Sequence, residues 1–377
     1  MAACRPRLWR ARFLAVPALL LWLGSPGAQA AIKTWDAGGG DQLWSTPNNW
    51  NTNGLPANTD TIVFASSFSS GTAIDLAGDR TINLLSITSA TDFSLNNHTL
   101  TLSTGDINRS AGSGTTTINS NIILGGAAAW SVAGTGNLIA NGSVSGATTF
   151  TKSGTGTLTL TNVNTYSGDT TINTGTFKLA GAGSIGNSPN IMVGSATVLD
   201  ATTATGGFVV GSGQTVSGTG EIQGSTTIQL GGTLAPGNAG AGVLNTLGNI
   251  DFSTDSTFTI ELNGTTVGTE YDQLNVTGSA SLAGLLGVSV SILPDNNTLF
   301  FILTTTGGTT GAFSNAPTDG GTYTFDGQEF QISYQANAGT NTFTGGNDVA
   351  LMVVPEPAAA LLGGIGLLLI LRRRRRS

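Results

Sequence analysis

Short runs of alternating polar and apolar residues recur through the chain between residues 81 and 262. Thr157–Leu160 has the order Thr-Leu-Thr-Leu, and Thr99–Leu102 repeats it. Thr257–Leu262 extends the alternation with larger apolar residues at every second position. Because successive side chains of a strand point to opposite faces, this pattern predicts half-buried β-strands with their leucines inside.

Turn-forming residues separate these runs. Gly, Asn, Ser and Asp fill the intervals, as in residues 153–156 and 173–175, and such residues allow sharp changes of chain direction. One short strand buries too little surface to be stable alone, whereas strands stacked about 4.8 Å apart share a continuous apolar stripe. We therefore expect an all-β solenoid over residues 81–262, with coils of about 20 to 25 residues and eight or so coils.

One segment near residues 150–180 carries three ordered elements. They are Lys152-x-Gly154-x-Gly156-x-Leu158-x-Leu160, Tyr166-Ser167-Gly168 and Ile172-Asn173-x-Gly175-Thr176. The segment resembles an autotransporter-associated β-strand repeat. This resemblance implies that the solenoid is right-handed, as in the β-helical passengers that carry such repeats.

Tryptophan is concentrated near the start of the body. Residues 31–80 contain Trp35, Trp44 and Trp50, half of the six tryptophans, and the stretch of residues 35–64 is similar to the beginning of other large repeat proteins of this kind. We expect a Trp-rich N-terminal cap that covers the exposed end of the solenoid core. The alternative is an aromatic glycan-binding platform, because indole faces stack on sugars.

Longer apolar runs mark residues 263–353. Residues 285–293 and 299–304 indicate buried strands, and residues 347–352 indicate a final one. We expect a terminal β-module packed against the last coil, where it would close the open edge of the solenoid.

The first thirty residues have the order of a secretory signal peptide. Basic residues precede an apolar run from residue 13 to residue 23, and Ala28 and Ala30 provide the small residues that signal peptidase requires. The apolar run is too short to span a bilayer as an anchor. We predict cleavage before Ala31, which also removes Cys4, the only cysteine.

Residues 354–377 have a three-part order. A Pro-Glu-Pro motif is followed by an apolar stretch over residues 358–371 and by a run of arginines, namely Pro355, Glu356 and Pro357, then Arg372, Arg373, Arg374, Arg375 and Arg376. This order resembles a PEP-CTERM protein-sorting domain. The resemblance implies a short transmembrane helix as a transient anchor and processing by an exosortase, while the arginines form a cytoplasmic stop. A retained tail anchor is the alternative.

Titratable side chains are scarce. Charged residues make up 9% of the chain, and it has one histidine. Between residues 31 and 371, five basic residues accompany 21 acidic ones, a balance that disfavours nucleic acid as a partner. We expect no enzyme activity, no cofactor and no metal site.

These features predict an exported protein, transiently anchored in the inner membrane and then displayed at the cell surface or in the extracellular matrix. Its role would be structural or adhesin-like. Signal peptidase and an exosortase-type enzyme are the expected processing partners, and extracellular polysaccharide is the expected ligand class. A carbohydrate-binding surface module is the second hypothesis, and a polysaccharide-degrading enzyme is the third.

Overall fold

The computed structural model describes residues 30–65, 69–110, 112, 114–292 and 295–354. These residues form short β-strands, with 3-10 helices at Pro47–Asn49 and Asn51–Asn53 and no α-helix in the described ranges. The predicted all-β class is therefore confirmed. No helix in this part of the chain has the length and apolar character that a membrane crossing requires. The predicted signal peptide, apart from Ala30, and the predicted C-terminal helix lie outside the described residues.

The strands follow one another at short intervals along the chain. The first group is β1 (Ile32–Trp35), β2 (Thr61–Phe64), β3 (Thr72–Asp75), β4 (Arg80–Ile82), β5 (Leu84–Ile87), β6 (Phe93–Asn96), β7 (Thr99–Leu102), β8 (Ile107–Arg109), β9 (Thr115–Ile118), β10 (Asn121–Leu124), β11 (Ala128–Val132), β12 (Asn137–Ala140) and β13 (Val144–Ser145). The second group is β14 (Phe150–Ser153), β15 (Thr157–Leu160), β16 (Thr170–Ile172), β17 (Thr176–Gly181), β18 (Asn190–Val193), β19 (Val198–Ala204), β20 (Phe208–Val210), β21 (Thr215–Gly218), β22 (Glu221–Gln223), β23 (Thr226–Ile228), β24 (Thr233–Pro236), β25 (Val243–Leu247), β26 (Ile250–Phe252) and β27 (Thr257–Leu262). The third group is β28 (Gln273–Val276), β29 (Ala280–Leu282), β30 (Leu285–Val290), β31 (Leu299–Thr305), β32 (Thr309–Gly311), β33 (Thr322–Phe325), β34 (Gln328–Ala336) and β35 (Asp348–Val353).

Four sheets collect these strands. Sheet A has 12 strands in the order β1-β2-β5-β8-β11-β14-β16-β18-β21-β24-β27-β30, and all of its pairs are parallel. Sheet B has 14 strands in the order β3-β6-β9-β12-β15-β17-β19-β22-β25-β28-β31-β35-β34-β33. Sheet C has four strands, β13-β10-β7-β4, and sheet D has five, β20-β23-β26-β29-β32.

The chain visits the sheets in rotation, so each coil adds one strand to sheet A and one to sheet B. Side-chain hydrogen bonds between successive coils measure the repeat, because Asn141 bonds to Asn119 across 22 residues and Asn119 to Asn96 across 23. Near the C-terminus the step grows to 30 residues between Asn275 and Asn245. This parallel stacking is consistent with the predicted β-solenoid, and its handedness stays a prediction.

The core follows the alternation in the sequence. In β15, Leu158 and Leu160 are buried while the two threonines are only half-buried. Leu158 stacks in register between Leu138 of β12 and Phe177 of β17, which builds one apolar column inside sheet B. Such columns join into one continuous core, so each coil is stabilised by its neighbours above and below.

The parallel stack begins before residue 81 and continues beyond residue 262. β1 and β2 already belong to sheet A, and β30 pairs in parallel with β27. Sheet B reverses direction after β31, because β35 pairs antiparallel with β31, β34 with β35 and β33 with β34. Antiparallel strands therefore cover the last parallel strand of sheet B.

The third side of the coil is discontinuous. Sheet C occupies it up to Ser145, and sheet D occupies it from Phe208 onwards. Between them, residues 161–169 and 182–189 cross this side mainly as loops, joined by a single bridge between Val163 and Ser184. Sheets A and B continue past the gap without a break.

Candidate functional site

A groove of about 300 Å³ opens at the gap in the third side. The loop around Ser184 and Ile185 forms one wall, and Phe208 and Val209 of β20 form the other. β20 pairs only with β23 among the described strands, so its opposite edge faces away from sheet D. Val209 at the centre of this edge is 40% exposed. The groove thus combines apolar side chains with the backbone edge of a strand.

Gln214 fixes the floor of this groove. The side chain is buried, and its Nε2 donates to the carbonyl oxygens of Ile185 at 3.0 Å and Ser188 at 2.7 Å. Its Oε1 accepts from the backbone N–H of Gly211 at 2.9 Å. These bonds satisfy the amide within the protein, and none of the residues that line the groove is titratable.

Asn164 ends sheet C. Its Oδ1 accepts from the N–H of Val144 in β13 at 2.9 Å, and its Nδ2 donates to the Ser184 carbonyl at 3.0 Å. The side chain is buried, so its amide oxygen takes the place of the backbone carbonyl that another strand would have supplied, while the N–H of Thr165 donates to the Val144 carbonyl at 2.8 Å. This substitution allows the loop of residues 161–169 to stand where sheet C would continue.

Tyr166 fills the core beneath that loop. Its ring stacks on Phe150, with centroids 5.1 Å apart and planes inclined by 25°. Its hydroxyl lies 2.8 Å from Thr170 Oγ1, which lies 2.8 Å from Ser188 Oγ. Burial raises the pKa of Tyr166. The aromatic ring supplies the buried volume that a strand residue supplies in other coils.

Lys152 is a cation inside the solenoid. Its ammonium donates to the carbonyl oxygens of Ser153 at 2.9 Å, Gly154 at 2.7 Å and Thr174 at 3.0 Å. Burial lowers its pKa to about 8. The sequence did not predict this buried site. Two features pointed to it: Lys152 lies on the same inner face of β14 as Phe150, and two turn glycines follow it. The ammonium joins the turn carbonyls of two successive coils.

Asp272 is the corresponding buried acid near the C-terminal end. Its Oδ1 accepts from the N–H of Gly242 at 2.7 Å, and its Oδ2 accepts from the N–H of Glu261 at 2.8 Å. Burial raises the pKa of Asp272 to about 7. Both contacts tie distant backbone segments together, which is a structural arrangement. In the described ranges no group of three or more His, Cys, Asp and Glu side chains is placed to hold a metal ion.

The three tryptophans of the predicted cap are all buried. The rings of Trp35 and Trp50 meet edge to face at 5.1 Å, and those of Trp44 and Trp50 lie 4.6 Å apart. Trp50 Nε1 donates to the Trp44 carbonyl at 2.9 Å, and all three rings lie beside Phe64. A glycan platform requires exposed indole faces. The alternative prediction, that Trp35, Trp44 and Trp50 bind glycans, is therefore wrong.

A buried asparagine explains why the indoles turn inward. Asn49 Nδ2 donates to Asp41 Oδ1 at 2.7 Å and to the Leu43 carbonyl at 3.0 Å, and its Oδ1 accepts from the Gly39 N–H at 2.9 Å. These bonds fold the loop of residues 36–50 over the first coil. The indoles then pack against the core of that coil.

The remaining predicted site residues fall at the two ends of the chain. Ala30 lies within the described residues and is exposed, and β1 begins two residues later at Ile32. At the other end, the N–H of Val354 donates to the Glu329 carbonyl at 3.2 Å. Those outside the described residues are Ala28, Pro355, Glu356, Pro357, Arg372, Arg373, Arg374, Arg375 and Arg376.

A family model described as the passenger-associated-transport-repeat matches residues 150–179. The match spans β14 to most of β17 and includes Lys152, Asn164 and Tyr166, so it covers the first of the two loops that cross the gap, residues 161–169. It confirms the autotransporter-associated repeat predicted for this segment. A comparison of the chain with curated proteins gives no match. The repeat and the parallel-sheet fold fit an extracellular, adhesin-like β-solenoid, and the repeat suggests export.

Proposed function

We propose that this protein is a structural, adhesin-like β-solenoid that is exported and displayed at the cell surface or in the extracellular matrix. The passenger-associated-transport-repeat at residues 150–179 carries the proposal. The buried polar groups described above, Lys152, Asn164, Asp272 and Gln214, all bond to backbone atoms of the protein. A chain that uses its polar groups to hold coils together suits a rigid display element, and we propose no enzymatic role.

The C-terminal segment would deliver the protein. In this proposal Pro355, Glu356 and Pro357 form the recognition motif of an exosortase, and residues 358–371 anchor the chain transiently in the inner membrane. The arginine run would hold the cytoplasmic side. The last strand ends at Val353, and the N–H of Val354 donates to the Glu329 carbonyl, so the motif follows that strand directly in sequence. Signal peptidase would act at the other end, after Ala30.

Mass spectrometry of the mature C-terminus tests the sorting step. We expect the surface fraction to contain a chain without Arg372 to Arg376, and we expect cells that lack the sorting enzyme to retain the intact chain in the membrane. A double change of Pro355→Ala and Pro357→Ala should reproduce that retention. The matched control is Pro317→Ala, which changes an exposed proline of the body and should leave sorting intact. Recovery of the intact arginine run in the surface fraction of unmodified cells would refute the processing step.

Extracellular polysaccharide remains the ligand class that we propose for the displayed body. Because Trp35, Trp44 and Trp50 are buried, a glycan would have to use another surface. Glycan-array binding of the folded protein is the direct measurement. Binding that survives Val209→Asp would exclude the groove, whereas binding lost with that change would place the ligand there.

A further inference from the structure

Asp60 is a buried carboxylate at the start of the solenoid. It is 3% exposed. Its Oδ2 accepts from the N–H of Ala57 at 2.8 Å, and its Oδ1 accepts from the backbone nitrogen of Ala31 at 2.9 Å. Among the described residues the one ion pair joins Lys178 to Asp200. Asp60 therefore has no cationic side chain paired with it there, and a buried carboxylate without a countercharge is costly.

The sheet fixes the position of the Ala31 nitrogen. The N–H of Thr61 donates to the Ala31 carbonyl at 2.9 Å. The next residue, Ile32, is in register with Thr61 in the parallel pair of β1 and β2. Ala30, on the other side, is exposed. The contact with Asp60 is thus held by the strand that follows Ala31 and does not depend on the residues that precede it.

The predicted signal-peptidase site is the peptide bond between Ala30 and Ala31. Hydrolysis consumes one water molecule and leaves a carboxylate on Ala30 and an amine on Ala31. An α-amino group has a pKa of about 7.7–8.0 and is mostly protonated at neutral pH. Cleavage would therefore replace an amide N–H by an ammonium at the nitrogen that already lies 2.9 Å from Asp60 Oδ1.

We propose that Asp60 is the receptor for the mature N-terminus. The Ala31 ammonium forms an ion pair with the Asp60 carboxylate and locks β1 onto β2, so removal of the signal peptide stabilises the first coil. Charge-assisted hydrogen bonds are shorter and stronger than neutral ones, and the partial burial of this pair protects it from screening by salt. This inference rests on the export and cleavage in the proposed function, and it is independent of C-terminal sorting.

Two chains that differ by one residue test the ion pair. One begins at Ala31 and the other at Ala30, both end at Ser377, and both are kept in the same mild detergent. The longer chain retains an uncharged amide at Ala31. We expect the chain that begins at Ala31 to have a Tm higher by about 2 °C or more, and we expect Asp60→Asn to abolish the difference.

Asp79→Asn is the matched control. Asp79 is exposed, and its Oδ1 also accepts a backbone N–H from a neighbouring coil, that of Thr99 at 2.9 Å, so this change removes the same kind of carboxylate–backbone bond away from Ala31. The difference between the two chains should survive it. Equal Tm values for the two chains, or a difference of the same size with Asp60→Asn, would overturn the ion pair.

Chemical labelling covers the case in which Asp60→Asn prevents folding. Reductive methylation of the α-amine, read from the N-terminal peptide by mass spectrometry, should be at least about tenfold slower in the native chain that begins at Ala31 than in the one that begins at Ala30. Equal rates contradict the proposal. N-terminal sequencing of the exported protein separates the two hypotheses. A terminus other than Ala31 refutes the cleavage position, whereas Ala31 with equal Tm values refutes the ion pair alone.

Discussion

The buried ammonium of Lys152 gives the sharpest test of how the coils are held together. Lys152→Met retains most of the apolar stem and removes the donor, which leaves three carbonyl oxygens of Ser153, Gly154 and Thr174 without it. Each unsatisfied buried polar group costs about 1–3 kcal/mol. Removal of the desolvated charge of the ammonium offsets part of the total cost of the three carbonyl oxygens. We expect the free energy of unfolding to fall by about 3 kcal/mol. Guanidinium unfolding followed by fluorescence measures it, with Trp130 beside Lys152 in register as a local probe.

A neighbouring lysine is the control. Lys178 Nζ lies 2.7 Å from Asp200 Oδ2, and the lysine side chain is 27% exposed. Lys178→Met removes the same charge from a partly exposed pair and should cost less than about 1 kcal/mol. If Lys152→Met destabilises the protein no more than Lys178→Met, the buried ammonium is not a structural link and the reasoning fails.

Lys152 should also make the stability of the protein depend on pH. The pKa of Lys152 falls from 10.5 to about 8 on folding because of burial. Between these values the unfolded chain binds more protons than the folded one, so stability rises with pH across this window. Lys152→Met should remove that rise. An identical alkaline profile in both proteins would show that Lys152 titrates normally in the folded state.

Three further predictions concern groups described above. Gly154→Ala should lower the free energy of unfolding by about 3 kcal/mol or more, because the residue has φ +77° and a Cβ would lie 2.2 Å from the Val132 carbonyl oxygen. The control Gly213→Ala has the same φ but an open surrounding, and it should cost about 1 kcal/mol. Equal guanidinium midpoints for the two variants would contradict this prediction. Burial raises the pKa of Asp272 from 3.8 to about 7, so between these pH values the folded chain binds more protons than the unfolded one. The free energy of unfolding should therefore fall as the pH rises from about 4 to 7, and Asp272→Asn should remove this pH dependence. Tyr166→Phe should cost about 1–2 kcal/mol in urea unfolding through loss of its buried hydroxyl bond, and an unchanged midpoint would show that this bond contributes nothing.

The fold was largely predictable because strand alternation is a local property. Thr157–Leu160 forms β15 with both leucines buried, as its order of residues indicates. The expected coil length of about 20 to 25 residues agrees with the steps of 22 and 23 residues, but not with the step of 30 residues near the C-terminus. Alternation does not say which sheet a strand joins, so the change from sheet C to sheet D after residue 145 had no signal in the pattern.

The candidate site was less predictable because it depends on contacts between distant residues. Lys152 lies two residues after Phe150, so the strand pattern places both side chains on the inner face. A lysine is nevertheless expected to be exposed unless its three carbonyl partners are known. The orientation of the tryptophans depends on Asn49, whose bonds to Asp41 and Leu43 close the loop. Composition alone left both indole orientations open.

The cut in the third side has a mechanical consequence. A solenoid with a continuous sheet on each of its three sides resists twisting through all of them. Its torsional stiffness falls where one side lacks a continuous sheet. Sheets A and B run along the whole solenoid, whereas in the coils between Ser145 and Phe208 the third side is held by loops and a few backbone hydrogen bonds in place of a sheet. A shear force on the displayed solenoid would therefore be absorbed as twist in these coils, which would act as a torsion joint between two stiffer halves.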